Sequence, residues 1–442
     1  ARAYAGETHQ LDAKGLPINR NTPDAQALVD AFASDVKSGN LPAVSWIVAP
    51  TKFCEHPEKN PPGYGESLCS RLLDVLTADP SVWSQTVFIL CYDEEGGFFD
   101  HMPAPSAPSN RDNGYSSVST VGEISHGEAF GLGIRLPFIV ASPWSKGGFV
   151  CSELFDHTSV IRFLEKRFNV AEPNISPWRR AVCGDLSSMF DFQNTDAQRP
   201  IELFAQPHQD FIALADASCV GKKSPEVLPQ LMPKQELDAS NYPNTRPARA
   251  LPYDLTVNGA LNSGADKFEI TFSNTGAAAA SFTVYPSSHN SGPWYYTIGA
   301  QQSFTENWPL ADFGAEKYAL RLLGPNGYLR VFQGFASSAL SVVVHAIHKT
   351  QQLSITLHNP SDKALSVILK DNFYGAKNQA IELAANSRIQ LIWDAGASFG
   401  WYDFQFKIEG TEQEKQFLRR YAGHLENGLP SRSDPANGMV LM

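Results

Sequence analysis

The residues best suited to chemistry in this chain of 442 residues are the adjacent carboxylates Asp93 and Glu94. They follow the apolar, partly β-branched run Thr86-Val87-Phe88-Ile89-Leu90-Cys91-Tyr92 and precede Gly96-Gly97 and His101. Such a run predicts a strand buried on both faces of a parallel sheet, and open α/β sheets bind ligands just beyond the carboxyl ends of their strands. Two neighbouring carboxylates repel each other, so holding both at a strand end points to a compensating cation. Oxygen donors suit a hard or borderline divalent ion, which can polarise a phosphoryl oxygen or stabilise an attacking oxyanion. Gly96-Gly97 lets the backbone turn sharply or come close to a substrate. An acidic βα turn punctuated by glycine fits the two acids equally well.

Several elements must position that turn. From Pro23 onward, Asp24, Leu28, Val29, Phe32 and Val36 share one helix face that ends near Gly39. Val44 to Val48 reads as a buried strand, Ser67 to Leu76 as a helix, and Thr86 to Tyr92 as the next strand. Strand, helix, strand in this order predicts a βαβ crossover and a parallel sheet. A third strand, Leu136 to Ala141, precedes Ser142-Pro143-Trp144, and a helix from about Thr158 to Phe168 follows. Between about 172 and 245 the composition turns to Pro, Gln, Asp and Ser with weak periodicity, a peripheral segment or linker.

Beyond Pro252 the pattern changes to short alternating strands with Gly, Asn and Ser turns, and it repeats. Phe268-Glu269-Ile270-Thr271-Phe272-Ser273-Asn274 matches Leu353-Ser354-Ile355-Thr356-Leu357-His358-Asn359, and Trp308 matches Trp393 at the same offset of 85. Tyr328 to Gly334 matches Phe417 to Gly423 after a small insertion. That period implies two small all-β sandwich domains, so the expected division is 1–245, 246–340 and 341–442. With 35 basic against 46 acidic residues the net charge is −11, which argues against nucleic acid as a partner. No apolar run approaches the ~20 residues a bilayer crossing requires. The six cysteines lack paired zinc-ribbon spacing; Cys54 and Cys69 flank a Pro/Gly-rich loop and fit a bridge or free thiols.

Four motifs in order carry a resemblance. They are Leu41 to Pro50 running on to Glu55-His56-Pro57, Tyr92-Asp93-Glu94 running to Asp100-His101, Gly131-Leu132-Gly133-Ile134-Arg135, and Phe155-Asp156-His157-Thr158-Ser159. Together they closely resemble the phosphocholine-specific bacterial phospholipase C family, a branch of the alkaline-phosphatase-like phosphoesterases. The paired repeat resembles the two β-sandwich domains that follow the catalytic domain in those enzymes. The resemblance implies a partial alkaline-phosphatase-like parallel sheet domain, with Asp93 and Glu94 as ligands of a divalent metal ion. It places His56, His101 and His157 around the phosphate as hydrogen-bond donors or acid/base groups. Glu95 stands where the family usually shows Asn, adding a negative charge beside the expected ion.

The implied activity is hydrolysis of phosphatidylcholine, with sphingomyelin as a further substrate, by a secreted or periplasmic enzyme that meets a membrane surface peripherally. Trp46, Tyr64 and Trp144 lie near the motifs and could cage a quaternary ammonium headgroup. The family's N-terminal Glu-Asn ligand pair and nucleophile have no match here, so the resemblance implies the C-terminal portion of a longer enzyme. It also implies an N-terminal polypeptide of the same precursor as partner. Two other readings stand beside it: an acid phosphatase of the same superfamily, and a non-catalytic remnant that binds lipid or a partner.

Overall fold

A computed structural model describes residues 2–5, 25–57, 60–96, 102–196, 208–219, 245–287, 292–314, 316–338 and 340–436. The chain forms two compact units that interleave in sequence. The first comprises Ala1–His101, Ile134–Lys146 and Asp191–Glu236; the second comprises Met102–Gly133, Gly147–Phe190 and Leu237–Met442. Residues 102–133 and 147–190 thus cluster with the C-terminal repeats, although they lie within the stretch 1–245 that reads as one domain in sequence.

In the first unit, β1 (Arg2–Ala5), α1 (Gln26–Lys37), β2 (Ser45–Val48), α2 (Pro62–Ala78), β3 (Phe88–Cys91) and β4 (Phe138–Ala141) follow one another. Leu28, Val29, Phe32 and Val36 of α1 meet Leu68, Leu72 and Leu76 of α2 in one core, joined by Phe53 and Trp83. Strand pairing is mixed: β1 and β2 are parallel, whereas β3 pairs antiparallel with β4. The parallel βαβ expectation is therefore corrected, because β3 takes β4 rather than β2 as its ladder partner. The expectation of strands buried on both faces also changes, since Trp46, Val48 and Ile139 are each half exposed or more. Ile47, Phe88 and Ala141 pack on the core, so the apolar runs spend one face on the helices.

In the second unit, α3 (His157–Phe168) and α4 (Pro177–Val182) precede two sets of seven strands. The first set is β5 (Leu255–Leu261), β6 (Lys267–Asn274), β7 (Ala280–Pro286), β8 (Trp294–Ile298), β9 (Gln302–Pro309), β10 (Lys317–Leu323) and β11 (Leu329–Phe335). The second is β12 (Ser341–Ile347), β13 (Gln352–Asn359), β14 (Leu365–Asp371), β15 (Gln379–Leu383), β16 (Ser387–Asp394), β17 (Trp401–Glu409) and β18 (Leu418–His424). Three strands of each set form their own sheet, in the orders β9-β6-β5 and β12-β13-β16. The other four join across the repeats in a nine-stranded sheet, β15-β14-β17-β18-β11-β10-β7-β8, with the short strand Gly114–Ser116 at its edge. The repeats thus share a sheet and one continuous core.

That junction has an internal two-fold. In the β11–β18 ladder Arg330 lies opposite Tyr421, Phe332 opposite Arg419, and Val331 opposite Arg420. The repeat makes Arg330 equivalent to Arg419 and Phe332 to Tyr421, so each strand meets its own counterpart in reverse. On the three-stranded side Asn258 exchanges two hydrogen bonds with Val344 of the other repeat, at 3.1 and 2.9 Å.

Candidate active site

In the first unit the Glu55-His56-Pro57 loop and the turn after β3 are tied by one hydrogen bond. The Tyr92 hydroxyl donates to Glu55 Oε2 at 2.7 Å, so the residue before Asp93 grips the residue before His56. Glu55 holds a left-handed backbone, φ +62°, which costs energy for a residue with a Cβ and persists only where surroundings over-determine it. A Cβ at Gly65 of α2 would collide with the Glu55 carboxyl, so glycine there makes room for it. Burial pushes the Glu55 carboxyl up, opposed by the Tyr92 hydrogen bond. Burial also pushes the neighbouring Cys69 thiol up to about 11, with Glu55 and Glu66 adding to it. Cys54 and Cys69 are both free thiols.

His56, Asp93 and Glu94 are exposed. Asp93 Oδ1 accepts from the Glu94 N–H at 3.1 Å and Glu94 Oε2 accepts from the Gly96 N–H at 2.9 Å. Each carboxylate therefore commits one oxygen to its own turn, and the other meets no partner among the described residues. These donors suit a divalent ion in kind but not in number. Among the described residues no three His, Cys, Asp or Glu side chains gather to hold one. His101 lies outside the described residues. Of the aromatic residues near the motifs, Trp46 is exposed, whereas Tyr64 is a core residue whose hydroxyl donates to Asp216 at 2.5 Å. Its ring already carries a cation, Lys52 Nζ at 4.5 Å, which argues for packing rather than a headgroup cage.

In the second unit His157 opens α3 and is exposed. Asp156 caps that helix, its N–H donating to Ser159 Oγ at 3.1 Å and its Oδ1 accepting from Thr158 Oγ1 at 2.6 Å. Arg179 then fixes Asp156 from α4. Its guanidinium reaches Asp156 Oδ2 at 2.6 Å, Glu123 Oε1 at 3.0 Å and the Gly131 carbonyl at 3.0 Å. Burial works against the Arg179 charge, and the carboxylates of Asp156 and Glu123 outweigh it and raise its pKa. One guanidinium thereby ties the Gly131 loop to the Phe155-Asp156-His157 motif. Glu123 is buried at 1% exposure and also accepts from Ser176 Oγ at 2.5 Å. No spacing rule marks Arg179 or Glu123, because they meet these motifs only through the fold. Glu55 and Tyr92 do lie inside quoted motifs, but nothing in the sequence reveals their bond.

With that geometry in hand, the comparisons with known proteins converge. Residues 1–171 match the Phosphoesterase family, and residues 247–335 and 337–424 each match the C-terminal domain of bacterial phospholipase C. The class is therefore a Phosphoesterase-family segment followed by a pair of β domains of the bacterial phospholipase C C-terminal type. A non-hemolytic phospholipase C of Burkholderia pseudomallei is 40% identical over 94% of this chain and 60% of its own length. Two proteins of Pseudomonas aeruginosa are similar: a non-hemolytic phospholipase C at 40% identity, over 93% of this chain and 60% of its own, and a hemolytic phospholipase C at 41%, over 92% and 59%. Along nearly all of its length this chain is similar to bacterial phospholipases C, and it spans about 60% of the length of these curated relatives.

Proposed function

We propose that this chain is part of a phospholipase C that hydrolyses the phosphodiester of phosphatidylcholine, and of sphingomyelin, releasing phosphocholine. The observation that carries the reading is the 40% identity to a phospholipase C along 94% of the chain. The Tyr92–Glu55 bond supports it, because it brings two of the four motifs into one loop cluster. In this reading the P–O bond to diacylglycerol or ceramide breaks, the departing alkoxide takes a proton, and a water oxygen ends on phosphorus. Exposed imidazoles such as His56 and His157 are suited to donate to phosphate oxygens or to supply that proton, and we assign His101 the same work. Asp93 and Glu94 would supply oxygen donors toward a divalent ion, whose chemistry when bound is to neutralise phosphate charge. The enzyme is placed outside the cytoplasm, secreted or periplasmic, with phospholipid as substrate and an N-terminal polypeptide of the same precursor as partner. Among the described residues no helix is long and apolar enough to cross a membrane.

Headgroup chemistry tests this. With phosphatidylcholine as substrate, assayed with and without an N-terminal polypeptide of the same precursor, the expected product is phosphocholine. Asp93→Asn lowers its release by roughly a hundredfold. Release of inorganic phosphate from a monoester, with no phosphocholine formed, would instead identify an acid phosphatase. Equal behaviour of Asp93→Asn and the native chain would favour a non-catalytic role.

A further inference from the structure

The internal two-fold of the repeats allows equivalent positions to be compared, and one pair is discordant. After Trp308 in the first repeat a short 3-10 turn, Leu310–Phe313, ends at Gly314 with φ +91°. After Trp393 in the second, the turn Gly396–Ser398 ends at Phe399 with φ +59°. Glycine is the ordinary occupant of a left-handed cap, and a bulky aromatic residue there is an outlier. The Phe399 ring does not compensate by filling the core, because 41% of the residue is exposed.

The strained backbone is held by polar groups instead. The His424 ring bridges Glu426 Oε1 (Nδ1, 2.7 Å) and the Phe399 carbonyl (Nε2, 2.9 Å), and Ser431 Oγ donates to that same carbonyl at 3.0 Å. Leu425 N–H donates to the Gly400 carbonyl at 2.9 Å, and Trp401 Nε1 to the Arg432 carbonyl at 2.9 Å. His348 completes the frame, with Nδ1 2.7 Å from the Glu426 carbonyl and Nε2 2.9 Å from Asp254 Oδ1. Three turns, 347–351, 396–400 and 425–432, are thus locked into one end of the second repeat.

What this end shows to solvent is apolar and cationic. Leu429 is 63% exposed and Ile347 37%. Arg432 is exposed with its guanidinium 5.8 Å from the centre of the Phe399 ring, and Lys349 is exposed on the neighbouring turn. The nearby acids are engaged: Asp254 with His348, Glu426 with His424, and Asp394 with the Gly396 N–H at 2.8 Å. An aromatic flanked by aliphatic side chains and two cations matches a phospholipid surface, with the ring at the acyl boundary and the cations among the phosphates. The geometry points to this end of the second repeat as a lipid-surface anchor, with Phe399 held in a strained conformation to project into a phospholipid bilayer. The idea rests on phospholipid being the substrate, but its test reads binding and needs no turnover.

The test is co-sedimentation of the full chain with phosphatidylcholine vesicles, beside a thermal melt. Phe399→Gly removes the ring while relieving the backbone, so its Tm stays equal or rises and its vesicle partition falls roughly tenfold. Phe399→Trp keeps native partition, and Leu429→Ser loses less than Phe399→Gly. The proposal is overturned if the native chain stays in the supernatant. It is equally overturned if Phe399→Gly sediments like the native chain, whether or not its Tm drops; a drop would mark the ring as a packing element. Loss of phosphocholine release with vesicle binding intact would count against the proposed activity and not against this surface.

Discussion

In the paired repeats, the equivalently placed polar side chains Asn274 and Asn359 are withdrawn from water and bonded to the backbone, whereas in the Phosphoesterase-family segment the candidate site residues stand in water. Asn274 and Asn359 are completely buried, and each donates to three carbonyls at equivalent places: Ala278, Ile298 and Gly299 in one repeat, Lys363, Leu383 and Ala384 in the other. Asp93, Glu94 and His56 are exposed, and among the described residues the two acids bond only their own turn. A polar group that is expensive to leave unpaired specifies the structure around it. A polar group left open to water keeps its valence for a ligand. If the proposed function holds, the repeats report on stability and the strand-end turn on chemistry, and substitutions in the two regions should separate along that line.

The largest effect is expected at the two-fold junction. Arg330 and Arg419 are 3% and 2% exposed, each donating to one carbonyl across the β11–β18 ladder, Ala422 or Gln333, and to the carbonyl of the residue before it on its own strand. Each also crosses to a tyrosine of the other repeat, Tyr402 at 3.0 Å and Tyr318 at 2.5 Å. Arg330 sits 3.8 Å from the Tyr328 ring centre and Arg419 4.4 Å from that of Phe417. Replacing either by Met strands buried acceptors and should cost about 3–5 kcal/mol in a denaturant titration. Arg330→Met should be the worse of the two, because its Nε also donates to Val257 O at 3.4 Å while Arg419 Nε, buried, meets no partner among the described residues. Equal losses below about 1 kcal/mol would mean that aromatic packing, not hydrogen bonding, joins the repeats.

A smaller effect tests whether the repeats are energetically alike. Asn274→Ala and Asn359→Ala each remove three donated bonds and the acceptor for the Gly276 or Ser361 N–H, and Asn359→Ala also removes the acceptor for Ser361 Oγ, at 2.7 Å. Each should cost about 2 kcal/mol, and the two values should agree within about 0.5 kcal/mol. A clear inequality would show that the nine-stranded sheet distributes the load unevenly between its halves.

The same contrast explains what could be read from the sequence. The repeat was legible because burial imposes alternation on it: Phe268, Ile270, Phe272 and Asn274 face inward as Leu353, Ile355, Leu357 and Asn359 do. Helices α1 and α2 were legible by periodicity for the same reason. The fusion of both repeats into one sheet was not, since the carbonyls that Arg330 and Arg419 reach across the junction lie in the other repeat, beyond any local pattern. The pairing of β3 with β4 escaped because an apolar run states that a strand is partly buried, not which neighbour it takes. At the candidate site, motifs singled out His56, Asp93, Glu94 and His157, and all four side chains are exposed. The groups that hold those motifs, Glu55 with Tyr92 and Arg179 with Glu123 and Asp156, are long-range pairings that no local pattern encodes.

The smallest change in stability, and the sharpest separation of the two regions, is expected at Glu55. Glu55→Gln keeps an oxygen to accept from Tyr92 and removes a charge that burial disfavours. Because the folded pKa of Glu55 is raised, the native chain holds this proton to higher pH than the unfolded chain does. The cost of ionising it therefore appears as pH rises through the ordinary carboxylate range to the folded value. Glu55→Gln should accordingly match the native chain at low pH and exceed it slightly, by under about 1 kcal/mol, near neutrality. Glu55→Ala removes the acceptor and frees the His56 loop from the turn that carries Asp93. Its phosphocholine release should fall roughly tenfold in kcat with KM little changed, and Glu55→Gln should restore most of it. If Glu55→Ala instead loses stability on the scale of the buried asparagines while kcat holds, this carboxyl belongs with the repeats' structural polar groups and the contrast between the regions fails at its most informative point.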